Sequence, residues 1–580
     1  MADRSADSAG ASLLADLNPA QREAALAVVG PVCILAGPGT GKTHTITRRI
    51  AYGVRTGVYA PDRVLALTFT NRAAGQLRGR LGTLGASAVQ ARTFHSAALR
   101  QLSFFWPQAV GGSFPGIVSS KSPIISEAAD RAGVRLSPQL LRKVAEQLEW
   151  RKVSERTLDQ FGEDLATGRR ANETGLPAEQ LHDLAVQYER AKESRHQLDF
   201  EDVLLATAGM LESEPWITSQ VRSQYRFFVV DEYQDISPLQ HKLLRLWLGN
   251  RRELCVVGDP AQTIYSFAGA NANYLTGFAS EFADARVIRV DGSYRSTPPI
   301  VAAANELAKH ISHAIQLDPL RAHTGKFPQP DVRSYDSDEA EAAGVARSIR
   351  QDLEAGRAPG DVAILVRTNA QVGVLERALE VAGVPFRLAG GMPFFRRPEV
   401  RAVLAGLHAA VVADQDGGPL FQTVSNVLRS RGWQQQRPAE PGPLREAWGA
   451  MDAIMQFADR AEAGTTLAEF SAELENRAAH QFELPIDAVT ISTMHAAKGL
   501  EWDHVYVVGL REGLLPTSAA ANEPELVNEE RRLFYVALTR ARDQLHLSHA
   551  LVQSPTRFLP ELGNRIRAGT PRLHHPDADR

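Results

Sequence analysis

The sequence predicts an α/β protein built on parallel sheets flanked by helices, with two all-helical stretches set into it. Three observations carry that expectation. Short apolar runs of strand length, Val32-Cys33-Ile34-Leu35 foremost, recur along the chain and alternate with helix-length segments. One of those runs leads through a glycine-rich turn straight into a helical segment. The stretches 105–197 and 399–484 carry helical periodicity instead of strand patterns. At 580 residues the chain exceeds a single core, so several domains are expected.

Composition narrows the class without naming a function. Hydrophobic residues at 44% and charged residues at 23% are ordinary for a globular chain. No apolar run reaches membrane-spanning length, and Met1 to Gly10 is polar with no hydrophobic signal region, so no membrane partner is expected. Cys33 and Cys255 both sit in apolar runs, as small buried side chains of a reducing compartment rather than a disulfide or zinc framework. The expected location is the cytoplasm. A net charge of −3 means that any nucleic-acid contact must rest on local patches. Residues 1–15 and 561–580 are expected to be flexible tails, and His574-His575 reads as solvated tail rather than a metal site.

The motifs follow in chain order. Asn18 can cap a helix with Pro19 at its first position, which puts Gln21 in the first turn. A glutamine amide both donates and accepts, which suits an adenine edge. Then comes Ala36-Gly37-Pro38-Gly39-Thr40-Gly41-Lys42-Thr43, between the strand candidate and Ile46 to Tyr52. Glycines in that context let successive N–H groups and a helix N-terminus face a phosphate. Lys42 is expected to reach the β- and γ-phosphates, and the Thr43 hydroxyl to sit on Mg²⁺. Val64 to Thr68 runs into Phe69-Thr70-Asn71, and Ala88 to Ala91 leads to Thr93-Phe94-His95. In a parallel sheet, ligands gather at the carboxyl ends of strands, so these residues lie at the functional edge.

Tyr225 to Val230 ends in Asp231-Glu232, the acidic pair that a phosphate loop needs: Asp231 for Mg²⁺, Glu232 to orient or deprotonate the attacking water. Leu254 to Val257 runs into Gly258-Asp259-Pro260-Ala261-Gln262, where Gln262 is placed to sense the γ-phosphate. Tyr265 and Phe267 follow at once, and exposed aromatics suit single-stranded bases because every base has a π-face. A second block is expected from about Val287, with strands at Val362 to Val366, Val489 to Thr493 and Val505 to Val508. Glu529 to Arg542 is an amphipathic helix ending in arginines.

Taken together, AGPGTGKT, TFTNRAA, VVDEYQD, GDPAQTIYSFAGA, SYRS, TMHAAKGLEW and EERRLFYVALTRAR resemble, in order, the motifs of the superfamily 1 DNA helicases of the UvrD/Rep/PcrA type. The likeness runs from Leu17 to about Leu547. Ala91 to Pro107 and the short helical insertion after Val400 are most similar to the second UvrD-like paralogue of actinobacteria. The resemblance implies two RecA-like domains, each carrying a helical insertion: 1A over 16–104 and 198–288, 1B over 105–197, 2A over 289–398 and 485–560, and 2B over 399–484. It implies ATP and Mg²⁺ between 1A and 2A, with Gln21 reading adenine, Tyr294 stacking on it and Glu501 touching the ribose. Lys42, Thr43, Asp231, Glu232 and Gln262 would act from 1A, and Arg295 and Arg540 would reach the γ-phosphate from 2A. It implies 3′–5′ movement on single-stranded DNA and on 3′-tailed duplexes, in repair or replication. Phe69, Asn71, Thr93, Tyr265, Phe267 and His495 would contact the DNA. Three positions depart from the family pattern: His44 for Arg, Phe267 for Trp, and Ala268 for an Arg that relatives place against DNA. Loss of that last cation is expected to weaken the grip on the strand and lower processivity.

Overall fold

The computed structural model describes residues 12–321, 327–389, 394–413, 419–436, 438, 443–462, 464–480 and 487–568. The chain divides into two units, one of residues 1–294 and 311–320, the other of residues 295–310 and 321–580.

The first unit is organised by strands β1 (Val32–Ala36), β2 (Val64–Thr68), β3 (Gln90–Thr93), β4 (Gly116–Ile117), β5 (Gln197–Leu198), β6 (Phe227–Val230), β7 (Leu254–Gly258), β8 (Arg286–Val290), β9 (Gly292–Ser293) and β10 (Asp318–Pro319). Six of them form an all-parallel sheet in the order β3–β2–β6–β7–β1–β8. The central strands read as unbroken apolar runs because both faces are covered by helices. On one face, Leu65, Leu67, Phe228, Val230 and Val256 pack with Phe94, Leu243 and Trp247. On the other, Val32, Ile34, Ala66, Val229 and Val257 pack with Ile46, Ile50 and Leu77.

Between β4 and β5 lie the helices Ser122–Arg131, Pro138–Val153, Leu158–Ala166 and Ala178–Ser194. They close on a core of their own around Ile125, Val144, Leu148, Phe161, Leu184 and Tyr188. Buried Lys152 ties this insertion to the sheet-bearing body, with Nζ 2.6 Å from both Asp199 and Asp202.

The second unit holds β11 (Asp331–Tyr335), β12 (Val362–Val366), β13 (Phe386–Leu388), β14 (Val489–Thr493), β15 (Trp502–Val507), β16 (Ala541–Ala550) and β17 (Arg567–Ala568). They form a parallel sheet in the order β13–β14–β12–β15–β16–β11–β17. Helices Pro398–Ala413, Leu420–Ser430, Pro443–Asp459 and Leu467–His480 make a separate bundle around Val403, Leu407, Leu428, Ile454 and Leu474.

Several expected boundaries move. The run Val287 to Val290 opens no second block: it is β8, the edge strand beside β1, with Ile34 opposite Ile288. Tyr294 therefore belongs to the first unit, not to a domain starting at 289. Residue 105 is no boundary, because the helix Phe94–Ala109 runs through it. The third strand lies at Gln90–Thr93 rather than Ala88 to Ala91. At the amino end, Leu13 and Leu14 are buried, so the expected tail over 1–15 is packed there. At the other end, residues 561–568 are no tail: Leu562 is buried, Glu561 pairs with Arg531 at 2.7 Å, and β17 pairs with β11. The rest of the expected carboxyl-terminal tail, His574-His575 included, lies outside the described residues.

Candidate functional site

In the first unit, the expected nucleotide residues leave the carboxyl ends of strands, except Gln21, which lies on the helix Pro19–Leu26 ahead of β1. After β1 the chain turns through Gly39 and Gly41, at φ +75° and +78°, a left-handed conformation that costs a residue with a Cβ. Gly41 caps the helix Lys42–Arg55, which carries Lys42 and Thr43 in its first turn. Lys42 Nζ donates to the Ala36 carbonyl at 3.0 Å, and Thr40 Oγ1 donates to that of Gly37 at 2.8 Å, so the loop from Ala36 through Pro38 to Gly41 is folded on itself. A Cβ on Gly41 would meet Gln21 Nε2 at 2.9 Å, so this position also needs the empty space that glycine leaves.

Gln21 is held from two sides. Its Oε1 accepts from Asn18 N–H at 3.0 Å in a reciprocal helix cap, and its Nε2 donates to Thr40 O at 2.8 Å. Asn18 Nδ2 in turn donates to the Tyr294 hydroxyl at 3.0 Å. The Tyr294 amide donates to Gly39 O at 2.9 Å, and its ring is 44% exposed. Gln21, Tyr294 and the phosphate loop are thus one hydrogen-bonded group, with an open aromatic face on its rim.

Asp231 and Glu232 follow β6. Asp231 Oδ1 accepts from the Glu232 amide at 3.0 Å, and Glu232 is held at φ +53°, strained for a residue with a side chain. Gln234 Nε2 donates to Glu232 Oε2 at 2.5 Å, while Gln234 Oε1 accepts from the Asp259 amide at 3.0 Å. Asp259 follows β7 and is completely buried. It accepts from Gln262 Nε2 at 2.8 Å and from the Ala261 amide at 3.0 Å. Burial pushes its carboxyl up, a displacement that nearby Lys42 opposes and Glu232 reinforces. The charges of Lys42 and Glu232 thus act on the Asp259 carboxyl, to which Gln262 is hydrogen-bonded.

Beyond Gln262 the chain carries the aromatics. Phe69, after β2, stacks on Tyr265 with ring centroids 5.3 Å apart and planes 14° from parallel. Phe267 meets Tyr265 edge-on at 6.1 Å. Phe69 and Phe267 are exposed, whereas burial raises the Tyr265 hydroxyl, with Asp235 and Glu232 adding to the shift. Asn71 is the exposed first residue of the helix Asn71–Thr83. Thr93 is not brought out to this edge: it is buried as the cap of the helix Phe94–Ala109, accepting from Ser96 N–H at 3.2 Å.

The second unit groups its candidates differently. Arg295 Nε lies 2.5 Å from Glu501 Oε2, and its NH1 donates to Thr539 O at 3.1 Å. Arg542 also pairs with Glu501. Burial pushes the Glu501 carboxyl up, but Arg295 and Arg542 outweigh it and hold the group below the usual carboxylate range. Arg540 is buried, donating to the carbonyls of Val536 at 2.9 Å and Leu500 at 3.2 Å. His495 follows β14. Burial pushes its imidazole down to about 4, with Arg367 and Lys498 adding to the effect.

The family model described as the UvrD/REP helicase N-terminal domain matches residues 17–283, and that of the UvrD-like helicase C-terminal domain matches 288–437 and 446–551. The chain belongs to the UvrD/REP helicase family. It is 41% identical to the ATP-dependent DNA helicase UvrD2 of Mycobacterium tuberculosis, over 96% of this chain and 83% of that protein. It is 29% identical to the ATP-dependent DNA helicase PcrA of Bacillus subtilis, over 93% of this chain and 84% of that protein. To UvrD1 of M. tuberculosis it is also 29% identical, over 96% of this chain and 86% of the relative. The two parallel sheets are the two RecA-like domains of a UvrD/REP helicase.

Two residues of the site escape a reading of the sequence. Asp259 and Gln234 were visible inside their motifs, yet nothing in the pattern distinguishes a buried acid in a polar turn from a solvated one. The signal was available only as a pair, since the Gln234 amide bridges Glu232 to the Asp259 backbone. Thr43 and Asp231 offer a hydroxyl and a carboxylate oxygen, hard donors that fit Mg²⁺ rather than a softer ion.

Proposed function

We propose that this UvrD/REP helicase couples ATP hydrolysis to 3′–5′ movement on single-stranded DNA and to unwinding of 3′-tailed duplexes. Gln21 and Tyr294 bind the adenine, Glu501 touches the ribose, and the loop amides with Lys42 bind the phosphates. Thr43 and Asp231 would hold Mg²⁺, which would supply positive charge against that developing on the β- and γ-phosphates. Glu232 orients the attacking water and takes its proton. Arg295 and Arg540 act on the γ-phosphate, and arginines in that role are typically worth about 10³–10⁵ in rate.

The observation that carries this reading is the continuity of Asp259 to Gly269. Gln262 is anchored on buried Asp259, and three residues later Tyr265 begins the aromatic platform shared with Phe69 and Phe267. A shift of Gln262 with the γ-phosphate is passed along a few peptide units to the rings on which bases stack. Asn71 and His495 add polar contacts to the strand, and Thr93 supports its helix from beneath. The setting is DNA repair or replication in the cytoplasm. Among the described residues no helix is long and apolar enough to cross a membrane.

Strand displacement with matched tails tests the proposal. Unwinding is expected with a 3′ tail, and unwinding confined to 5′-tailed duplexes would remove the polarity. A second reading, a DNA-stimulated translocase that displaces proteins without efficient unwinding, is favoured by Ala268, which offers a strand no cation beside the Phe267 ring. Displacement of streptavidin without strand separation would select it.

A further inference from the structure

The helical insertion of the first unit reaches the aromatic loop through one helix end. The helix Pro138–Val153 closes on Arg151, Lys152 and Val153. Lys152, Lys192 and Asp199 are each at most 2% exposed. Lys152 Nζ lies 2.6 Å from Asp199 Oδ2 and from Asp202 Oδ1, and 3.1 Å from Glu189 Oε1. Lys192 Nζ shares the same acids, 2.7 Å from Glu189 and 3.3 Å from Asp199, and it also pairs with Asp202. The Tyr188 hydroxyl donates to Asp199 at 2.9 Å. Asp199 also caps the helix Phe200–Ser213, whose Val203 and Leu204 pack with Phe94 in the core of the sheet. Lys121 adds a second tie, 2.6 Å from Glu149 on the insertion's helix and from Glu201 on the helix Phe200–Ser213. The end of Pro138–Val153 is thereby fixed to the sheet-bearing body.

Val153 carries that fixed end to the loop. Gly269, at φ +89°, closes the turn Ser266–Ala268 that bears Phe267, its amide donating to Ser266 O at 2.9 Å. A Cβ on Gly269 would stand 2.7 Å from Val153 Cγ2, too close for two carbons, so side chain and loop backbone meet without slack. The same Cβ would lie 3.7 Å from Val153 Cβ and 3.8 Å from Ser237 Cβ, ordinary contacts, so the collision is with one methyl group. Burying charges costs desolvation that an apolar seam of the same volume avoids. What the charges supply is register: an apolar seam can slide, whereas two ammoniums shared among three carboxylates fit one arrangement. We propose that Lys152 is a positioning residue for DNA: by holding Val153 against Gly269, its pairs with Asp199 and Asp202 set where Tyr265 and Phe267 present their rings. This rests on the reading of those rings as the base platform. The insertion then governs strand engagement through the loop backbone.

The experiment titrates oligo(dT) against the ATPase of the full chain and reads the half-maximal DNA concentration, the DNA-saturated rate and the DNA-free rate. Gly269→Ala should raise the half-maximal concentration about tenfold, and adding Val153→Ala should bring it back to within about threefold of wild type. Strain at φ +89° would not be relieved by a change at Val153, so the rescue reports the contact alone. No rise in Gly269→Ala, or a rise that Val153→Ala leaves in place, would overturn the proposal. Lys152→Met should also raise the half-maximal concentration about tenfold while both rates stay within about twofold, a split that mere loss of folded protein does not give. Lys152→Arg keeps the charge balance and carries the test if Lys152→Met fails to fold. Its planar fork cannot take the ammonium's place between Asp199 and Asp202, so a smaller rise of the same kind is expected. An unchanged half-maximal concentration in the folded Lys152 variants, where Tyr265→Ala raises it, would overturn this inference alone. If Tyr265→Ala leaves it unchanged as well, the platform reading falls and this inference with it.

Discussion

The candidate residues of the two sheets are placed differently: those of the first follow strands, whereas Glu501 and Arg540 of the second precede them. In the first unit, the phosphate loop, Phe69, Asp231, Asp259 and Tyr294 all come after a strand. In the second, Glu501 directly precedes β15 and Arg540 directly precedes β16, while His495 comes after β14. The difference follows from what each unit has to supply. Backbone N–H groups for a phosphate come from a strand that turns into a helix, which places them at carboxyl ends. A guanidinium needs only a rigid anchor, and here Arg295 and Arg540 are anchored on the carbonyls and the carboxylate between two strands. On the proposed function, one unit binds a triphosphate and the other acts on it.

The sharpest way to break that division is to remove its lysine. Lys42→Ala should lower DNA-stimulated ATPase by about 10³-fold or more, with weakened nucleotide binding and DNA affinity largely intact. Normal turnover in that variant would end the assignment of the first unit. Arg295→Ala should come next, with kcat down about 10³-fold but ATP affinity changed only a few-fold. Arg295→Lys should fall almost as far, because an ammonium cannot hold Glu501 and Thr539 O in a planar fork. A loss confined to ATP binding would place Arg295 with the binding residues and erase the contrast.

A smaller effect is expected where nucleotide and DNA chemistry meet. Tyr265→Ala removes the ring stacked on Phe69 and should raise the DNA concentration for half-maximal ATPase by about 5- to 150-fold, the equivalent of about 1–3 kcal/mol of stacking. Lys42→Ala and Tyr265→Ala should then separate cleanly, one in turnover and the other in DNA dependence. An unchanged half-maximal concentration would return Tyr265 to core packing.

The same contrast explains what the sequence made legible. The motifs after β1, β2, β6 and β7 were easy to locate in the first unit, because each follows an apolar run that is buried on both faces. Strand β8 was misplaced because it is an edge: Arg286, Val287 and Arg289 are exposed and only Ile288 and Val290 are buried, so it looks like the start of something new. In the second unit no periodicity points at Glu501 or Arg540, and only likeness to a family named them. Thr93 shows the opposite failure, since a polar residue after a strand is used as a helix cap.

The least effect is expected from acid, and it distinguishes a charged from a neutral DNA contact. Burial, with Arg367 and Lys498, holds His495 down to about 4, and burial with Lys121 does the same to His95 in the first unit. An unfolded histidine titrates near 6.5, so between about 6.5 and 4 the unfolded chain binds protons that the folded chain refuses. The stability contributed by these two residues is therefore complete above about 6.5 and is lost as the pH falls toward 4. Urea midpoints should drop between pH 7.5 and 5.5, and His495→Gln should flatten that drop without altering the midpoint at pH 7.5 by as much. Since His495 is neutral at pH 7.5, its N–H can meet a DNA phosphate but releases no counterion as a cation would. The salt dependence of DNA affinity should keep its slope in His495→Gln, whereas loss of a cationic contact lowers it by about 0.7. A reduced slope would mean that His495 carries a proton on DNA, and that the acid edge of stability has another source.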